Sequence, residues 1–211
     1  VDRRYAGPGT KGRRTGQVTR PLVLCSTSRY RRDLLARLHL PFDCAAPDVD
    51  ETPSLDETAA ALSERLAVAK ARVLAPRFPD ALLIGSDQAA SCAGQLLGKP
   101  GTRAAAIAQL QSAAGHEVEF HTAVAIVDAR TGECRSERDV TRVRFRNLSS
   151  RDIERYLDLE PALDCAGSFK CEGLGIALFD AIDSRDPTAL VGLPLIATAR
   201  LLRGFGLDPL S

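Results

Sequence analysis

Two segments of the chain hold residue types that could bind a phosphate compound and activate water. Residues 26–32, Ser-Thr-Ser-Arg-Tyr-Arg-Arg, stand between a short apolar run and a helical pattern. Because the first N–H groups of a helix lack an internal partner, hydroxyls and guanidiniums at that place suit a phosphate. A helix cap followed by a solvated basic face explains the same residues equally well, so both interpretations stay open.

Carboxylates occur in two further places. Residues 86–88, Ser-Asp-Gln, come directly after the apolar run 81–85, and the sites of open α/β sheets lie at the carboxyl ends of strands. A carboxylate there can hold a divalent ion or orient water, although a turn-forming aspartate is the plainer interpretation. The acidic loop 48–51, Asp-Val-Asp-Glu, offers either magnesium ligands or solvated charge.

Candidate cations lie in three other segments. Lys70 falls inside a helical run, Lys99 in a Gly-Lys-Pro turn, and Lys170 in the glycine-punctuated stretch 167–175. Surface lysines are the ordinary interpretation of the first two, whereas glycines around the third allow close backbone approach to a ligand. The strong motifs GxxxxGK[ST], HExxH and GxSxG do not occur in the sequence, and its three histidines are scattered.

The hydrophobic pattern must supply the elements that position these side chains. Strands alternate with helices in the first half, and a long hairpin interrupts that alternation in the second. This order predicts a mixed α/β fold, an elongated sheet flanked by helices with two lobes around a cleft. The predicted strands are 21–25, 42–46, 81–85, 117–128, 133–145 and 176–182, and the predicted helices are 29–40, 54–75, 102–114, 149–159 and 193–204.

Composition narrows the classes of protein that fit. The 211 residues are 45% hydrophobic and 26% charged, so the chain can bury a core without disulfides. Its apolar runs are too short to cross a membrane. Six scattered cysteines without a CxxC pair are typical of a reducing compartment, so we expect a cytoplasmic protein.

The N-terminal residues 1–20 differ from the rest. They hold six basic residues and one acid, a net of +5 in a chain of net charge +1, so residues 21–211 are mildly acidic. We expect 1–20 to be a disordered extension and 21–211 to be the folded domain. Because the domain is acidic, nucleic-acid binding is not expected, and a basic arm for nucleic acid remains the alternative.

Taken in order, several short blocks resemble the Maf family of nucleotide pyrophosphatases from about Pro21 to the C-terminus. They are Ser-Thr-Ser-x-x-Arg, Val-Asp-Glu-Thr-Pro, Ala-Lys-Ala, Gly-Ser-Asp-Gln, Gly-Lys-Pro, Cys-Ala-Gly-Ser-Phe-Lys-x-Glu-Gly and Val-Gly-Leu-Pro-Leu. The branch of the family that acts on 7-methyl-GTP is the best match, because it is similar at Tyr30, Gln88 and Glu172. The branch for dTTP and UTP has Arg, Thr and Gln there, and it is the alternative.

The resemblance implies an activity and a set of roles. It implies a fold like that of inosine-triphosphate pyrophosphatases and hydrolysis of the α–β phosphoanhydride of a nucleoside triphosphate with Mg²⁺ or Mn²⁺. Asp87 would accept the proton of the water and, with Glu51, bind the metal. Tyr30 would stack on the base, and Gln88 and Glu172 would read its edge. The implied phosphate-binding residues are Ser26, Ser28, Arg31, Lys70, Lys99 and Lys170.

A biological role and partners are implied in the same way. The expected role is removal of modified nucleotides before they enter nucleic acids, in a homodimer, with an association with arrest of cell division. A second hypothesis of another class is a regulatory protein that senses a nucleotide without hydrolysing it. Turnover that depends on Asp87 distinguishes the enzyme from the sensor.

Overall fold

The computed structural model describes residues 4–5 and 20–211. We expected residues 1–20 to form a disordered extension. Of these, only 4–5 and 20 are among the described residues, so the prediction for 1–3 and 6–19 lies outside them. The strands are β1 Arg4–Tyr5, β2 Leu22–Cys25, β3 Phe42–Ala45, β4 Leu82–Cys92, β5 Gln95–Leu97, β6 Glu117–Asp128, β7 Cys134–Phe145 and β8 Phe179–Asp183. The helices are α1 Arg29–Ala36, α2 Ala59–Arg72, α3 Arg103–Ala113, α4 Ser150–Leu159 and α5 Leu195–Gly204.

The strands form one mixed sheet, as predicted. Its order is β1-β3-β2-β4-β6-β7-β8, with β5 also paired to β4. β2 is parallel to β3 and to β4, and the long strands β4, β6 and β7 are antiparallel neighbours. The parallel part comes from the alternating first half of the chain, and the hairpin of β6 and β7 supplies the antiparallel part.

The sheet has an opening along one edge of β4. β2 pairs with residues 82–84 of β4, and β5 pairs with residues 90–92 on the same side. Among the described strands none pairs with Gly85–Ala89 on this edge, whereas β6 pairs with β4 along its whole length on the other. The three residues Ser86, Asp87 and Gln88 therefore lie in an interruption of the sheet.

Two apolar clusters lie on one face of the sheet, on either side of this opening. One contains Phe120, Phe145 and Ile153, and the other contains Leu24, Ile84 and other leucines of α1 and α5. β4 and β6 contribute to both clusters. Along each strand the side chains between the clusters are polar, so the two lobes meet at a hydrophilic band, and the predicted two-lobed α/β fold is confirmed.

Helix α2 packs on the opposite face of the sheet. It passes so close to Gly85 that a Cβ atom there would overlap the carbonyl oxygen of Ala67. The small residues Ala67, Ala123 and Ala125 form the contact between this helix and β6. This close approach brings Lys70, one turn further along α2, over the strand.

Three predicted boundaries are wrong for physical reasons. The strand predicted to end at residue 85 continues to Cys92, because β6 pairs with it throughout. The helix predicted from Ser54 begins at Ala59, because Asp56 adopts a φ of 58° and Thr58 caps the helix. The strand predicted at 176–182 begins at Phe179, after a 3₁₀ segment at Leu174–Leu178.

The remaining predicted elements occur within a few residues of their expected bounds. In the part of the chain that the structure describes, no helix is both long and apolar enough to cross a bilayer.

Candidate active site

A cleft of about 740 Å³ occupies the interruption of the sheet. Every residue to which a role was assigned from the sequence lines it. They are Ser26, Ser28, Tyr30, Arg31, Glu51, Lys70, Asp87, Gln88, Lys99, Lys170 and Glu172. These side chains come from β4, two helices and four loops, so the fold brings together residues that are up to 146 positions apart, from Ser26 to Glu172.

Lys70 is the centre of the charged part of the cleft. Its side-chain nitrogen lies 2.5 Å from Oδ1 of Asp87 and 2.6 Å from Oε1 of Glu51. Lys70 and Asp87 are buried, with 5% and 7% of their surfaces exposed, whereas the side chain of Glu51 is half exposed. Lys99 approaches the other oxygen of Glu51 at 3.9 Å. One buried ammonium group thus holds two carboxylates in place.

The pKa of Glu51 reflects these neighbours. Partial burial raises the pKa of this carboxyl, but the hydrogen bond and charge of Lys70, helped by Lys99 and Arg31, lower it to below its ordinary value. Glu51 is therefore a carboxylate at any physiological pH. An ionised side chain of this kind can bind a cation in the cleft.

The donor set fits a small divalent ion shared with a ligand. The described residues contain no group of three or more His, Cys, Asp or Glu side chains arranged around a metal position. Glu51 and Asp87 supply two carboxylates, and magnesium in nucleotide enzymes takes one or two carboxylates together with phosphate oxygens. Asp48 and Asp50 do not line the cleft, so the acidic loop contributes only its last residue.

The segment predicted to bind an anion lies at the start of α1. Ser28 caps this helix by accepting a hydrogen bond from the backbone N–H of Arg31, and the hydroxyl of Ser26 accepts one from the backbone N–H of Ser28. Arg31 is held from the other side of the cleft, because its Nε donates to the carbonyl oxygen of Gly192 at 2.8 Å. The helix-cap interpretation is therefore confirmed, and because the same residues line the cleft, anion binding stays a prediction for them.

Charge is retained at Arg31 despite its surroundings. Burial lowers the pKa of its guanidinium, and the charges of Asp87 and Glu51 oppose that effect. Because an arginine starts from a pKa above 12, it stays protonated at physiological pH. Arg32, the next basic residue, does not line the cleft and pairs with Asp33 at 3.3 Å.

An aromatic ring and a carboxylate lie at the more open end of the cleft. The guanidinium carbon of Arg29 is 4.8 Å from the centroid of the Tyr30 ring, and Arg29 Nη2 donates to the Tyr30 hydroxyl at 3.2 Å. Lys170 and Glu172 face this end from the loop between α4 and β8. The side-chain nitrogen of Lys170 lies 3.6 Å from Asp164.

Gln88 is fixed by three acceptors. Its Nε2 donates to Thr122 Oγ1 at 2.9 Å and to the carbonyl oxygens of Ala189 and Leu190 at 3.1 Å each. Side-chain oxygen and nitrogen of a glutamine are assigned from such networks, and this network places the NH₂ group on the protein. Within the described residues the Oε1 atom has no hydrogen bond, so it is available as an acceptor to a ligand in the cleft.

Several cleft residues were assigned no role from the sequence. Phe120 and Phe169 form an edge-to-face pair with centroids 5.3 Å apart at one wall, and Arg29, Asp164 and Gly192 line other parts. Phe169 and Gly192 stand within two of the motif blocks, so a signal for them was present. Thr122, which contacts Gln88 without lining the cleft, is the one polar residue on its face of the apolar stretch 118–126, and that pattern could have been noticed.

The three cysteines of the cleft are not nucleophiles at neutral pH. Burial raises the pKa of the Cys25 and Cys171 thiols to about 12 and that of Cys165 to about 11. All three side chains are therefore neutral thiols, and thiolates are the reactive form.

Comparisons with known proteins identify the family of this chain. The family model described as "Maf-like protein" matches residues 21–205. The chain is 61% identical over 186 residues to a 7-methyl-GTP pyrophosphatase of Aromatoleum aromaticum, which covers 88% of this chain and 96% of the relative. It is 60% identical over 185 residues to the protein of that name from Xanthomonas oryzae pv. oryzae, with the same coverage.

A third relative, the 7-methyl-GTP pyrophosphatase of Burkholderia pseudomallei, is 58% identical over 188 residues, 88% of this chain and 87% of the relative. Among solved structures, that of the Staphylococcus aureus Ham1 protein aligns with a TM-score of 0.49 and 15% identity, over 88% of this chain and 97% of that chain. The chain belongs to the Maf family. The predicted class of enzyme, a nucleoside triphosphate pyrophosphatase, is confirmed by these relatives.

Proposed function

We propose that this protein hydrolyses 7-methyl-GTP to 7-methyl-GMP and pyrophosphate by breaking the α–β phosphoanhydride bond. The observation that carries the proposal is that one cleft gathers an aromatic ring, hydrogen-bond acceptors, paired carboxylates and several cations. Relatives that are 58–61% identical and are named for this substrate support it. In a cell the reaction would keep a modified nucleotide out of nucleic acids.

The base subsite suits a methylated guanine. The edge of guanine presents N–H donors, and the free Oε1 of Gln88 and the carboxylate of Glu172 are acceptors. Methylation at N7 places a positive charge on the ring, which favours an aromatic face and a nearby carboxylate. The guanidinium of Arg29 already lies over the Tyr30 ring at 4.8 Å, so this ring accepts a cation in the free protein.

The phosphate subsite neutralises charge on the transferred group. The hydroxyls of Ser26 and Ser28 and the guanidinium of Arg31 lie together at the start of α1, where helix N–H groups also favour an anion. Lys99 and Lys170 add positive charge from two loops on the cleft wall. Such fixed charges stabilise developing negative charge in phosphoryl transfer, which needs positioning rather than covalent catalysis by the protein.

In the reaction, Asp87 accepts a proton from the attacking water. The water oxygen forms a bond to the α-phosphorus, the bond from that phosphorus to the bridging oxygen breaks, and pyrophosphate leaves with the electron pair. Lys70 orients the Asp87 carboxylate through their 2.5 Å contact. A general base of this kind contributes about 10²–10⁴-fold to the rate.

A divalent ion, Mg²⁺ or Mn²⁺, belongs to the proposal. Glu51 and Asp87 would hold it, because both face the same ammonium group and both are open to the cleft. When bound, such an ion neutralises phosphate charge and makes a water molecule more acidic.

The test is pyrophosphate release from 7-methyl-GTP, GTP, ITP, CTP, dTTP and UTP in the presence of Mg²⁺ or Mn²⁺. We expect 7-methyl-GTP to give the highest kcat/KM, and Asp87→Asn to lower kcat by about 10³. Asp128→Asn is the matched control, because Asp128 is 6% exposed against 7% for Asp87 and lies at the end of β6, outside the cleft.

The possible outcomes separate the candidate functions. Equal losses in Asp87→Asn and Asp128→Asn would show that the effect is one of folding and not of chemistry. Preference for dTTP or UTP would replace the proposed substrate by that of the other branch. Nucleotide binding by folded protein without turnover of any compound in the panel would favour the sensor hypothesis over the enzyme.

A further inference from the structure

A short turn on the wall of the cleft, residues 189–192, receives hydrogen bonds from side chains of other elements. We call it the carbonyl turn. Nε2 of Gln88 donates to the carbonyl oxygens of Ala189 and Leu190 at 3.1 Å each. Thr122 Oγ1 donates to the Ala189 oxygen at 3.0 Å. The orientation of the Gln88 amide therefore depends on where this turn lies.

The last residue of the carbonyl turn holds a phosphate-binding residue in the same way. The carbonyl oxygen of Gly192 accepts from Arg31 Nε at 2.8 Å and from Ser86 Oγ at 3.0 Å. One four-residue segment thus aligns Gln88, which is proposed to contact the base, and Arg31, which is proposed to contact the phosphates. A displacement of the segment would affect both.

The carbonyl turn has little support of its own. It consists of the 3₁₀ turn Ala189–Val191 followed by Gly192, whose φ of 123° favours glycine. A single 3₁₀ turn is too short to be stable in isolation. Its position must come from contacts with its surroundings.

Asp186 holds the residue directly before the turn, Thr188, and so contributes to that position. It is 3% exposed, and its Oδ1 accepts from the backbone N–H of Thr188 at 3.0 Å and from the Thr188 hydroxyl at 2.6 Å. Its Oδ2 accepts from the backbone N–H of Ile196 at 2.6 Å. The Thr188 hydroxyl also accepts from the N–H of Leu195 at 2.9 Å. This one carboxylate ties the chain before the carbonyl turn to the first residues of α5.

Asp186 does not itself line the cleft. We propose that Asp186 is a positioning residue for nucleotide recognition, which acts by holding the carbonyl turn against Gln88 and Arg31. The identity of the nucleotide rests on the proposed function above. When the turn is held, Gln88 keeps its NH₂ on the protein and offers Oε1 to the base; when it is released, the amide can rotate and offer either atom.

The test is Asp186→Asn, which keeps the shape of the side chain but replaces one accepting oxygen with an NH₂ donor that faces an N–H or O–H group. We expect the ratio of kcat/KM for 7-methyl-GTP to that for UTP to fall by about tenfold or more, the cost of one misplaced buried hydrogen bond. KM should rise for both nucleotides, because Arg31 is also released, and kcat for 7-methyl-GTP should change less.

Asp128→Asn is the matched control. Asp128 is 6% exposed and accepts hydrogen bonds from the Arg20 guanidinium and from the backbone N–H of Arg130, far from the cleft. A loss of stability without an effect on recognition is expected in this variant. An unchanged nucleotide ratio in folded Asp186→Asn would overturn the proposal. Thr188→Val, which removes the hydroxyl link at nearly constant shape, takes its place if Asp186→Asn does not fold.

A second measurement does not depend on turnover. The side-chain NH₂ of Gln88 should exchange slowly with water in the nucleotide-free protein, as measured by NMR, and faster in Asp186→Asn but not in Asp128→Asn. Unchanged exchange in Asp186→Asn contradicts the positioning role whatever the substrate is. A wild-type protein that shows no preference for 7-methyl-GTP contradicts the proposed function instead, so the two failures are distinguishable.

Discussion

The two ends of the cleft are built differently. At the reaction end, Lys70 and Asp87 are almost fully buried and lie on a helix and a strand that pack directly against each other. At the base end, Tyr30 is half buried, Glu172 is exposed, and the loop that carries Lys170 has no strand or helix at that point. Lys70 and Asp87 are thus fixed by packed regular structure. At the base end Tyr30 lies on α1 and Gln88 on β4, but Glu172 depends on loop contacts.

Under the proposed function, this difference separates the residues that carry out the chemistry from those that set specificity. Buried ion pairs on regular elements are costly to change, because a partner left alone in the interior is strongly destabilising. Exposed loop residues can be replaced with little effect on folding. Substitutions at the base end can therefore change which nucleotide binds while the reaction end continues to work.

The largest expected effect is at the reaction end. Lys70→Met should lower kcat by about 10³, because it removes the cation that orients both carboxylates. Lys99→Met is the matched variant: its side chain is 66% exposed and lies 3.9 Å from Glu51, so a loss of less than about tenfold is expected. Steady-state kinetics measures both, and equal losses would contradict the distinction between buried and exposed lysines.

Two glycines extend the comparison to stability. A Cβ atom at residue 85 would overlap the backbone carbonyl of Ala67, whereas one at residue 173 would meet the end of the Glu160 side chain. Gly85→Ala should therefore lower the free energy of unfolding by about 3 kcal/mol, because α2 must move. Gly173→Ala should lower it by less than about 1 kcal/mol, because a side chain can shift. Denaturant unfolding checks both, and the reverse order would show that the base end is the more rigid.

A smaller effect is expected at Glu172. Glu172→Gln should lower the preference for 7-methyl-GTP over GTP by about fivefold, because it removes a carboxylate near a cationic base in an exposed position. The kcat for GTP should hardly change. The ratio of the two kcat/KM values is the measurement. A decrease of the same size for both nucleotides would mean that Glu172 does not detect the charge of the base.

The smallest effect concerns an ion pair that belongs to neither end. The hydrogen bonds from Arg20 lower the pKa of Asp128 to about 2, below its ordinary value of 3.8. A lowered pKa in the folded state stabilises the protein above the ordinary pKa, and this contribution is lost as the pH falls through about 2. Arg20→Gln should lower the free energy of unfolding by about 1 kcal/mol at pH 7.

Denaturant unfolding at several pH values measures the difference in the free energy of unfolding between the wild type and Arg20→Gln. This difference should decrease between pH 4 and pH 2. The kcat of Arg20→Gln at pH 7 should equal that of the wild type. A difference that is the same at both ends of this range would mean that Arg20 acts through packing rather than through the charge of Asp128.

The sequence predicted much of the fold and the members of the site. Strong alternation and turn signals placed β6 and β7 almost to the residue, and the motif blocks nominated residues that all line the cleft. What it could not predict depends on contacts distant in the chain. Ser86 to Gln88 lie within a strand rather than after one, because β6 pairs with that segment from the other side. The roles of Asp186 and the carbonyl turn arise only when residues about 100 positions apart meet.

The continuity of β4 and β6 through both lobes has a mechanical consequence. A domain hinge needs a few residues whose backbone angles can change freely, and two paired strands of 11 and 12 residues do not offer them. Opening or closing the cleft would require bending the sheet itself. The separation of the two lobes is therefore fixed by these shared strands, and under the proposed function a nucleotide would bind without a hinge closure that costs binding free energy.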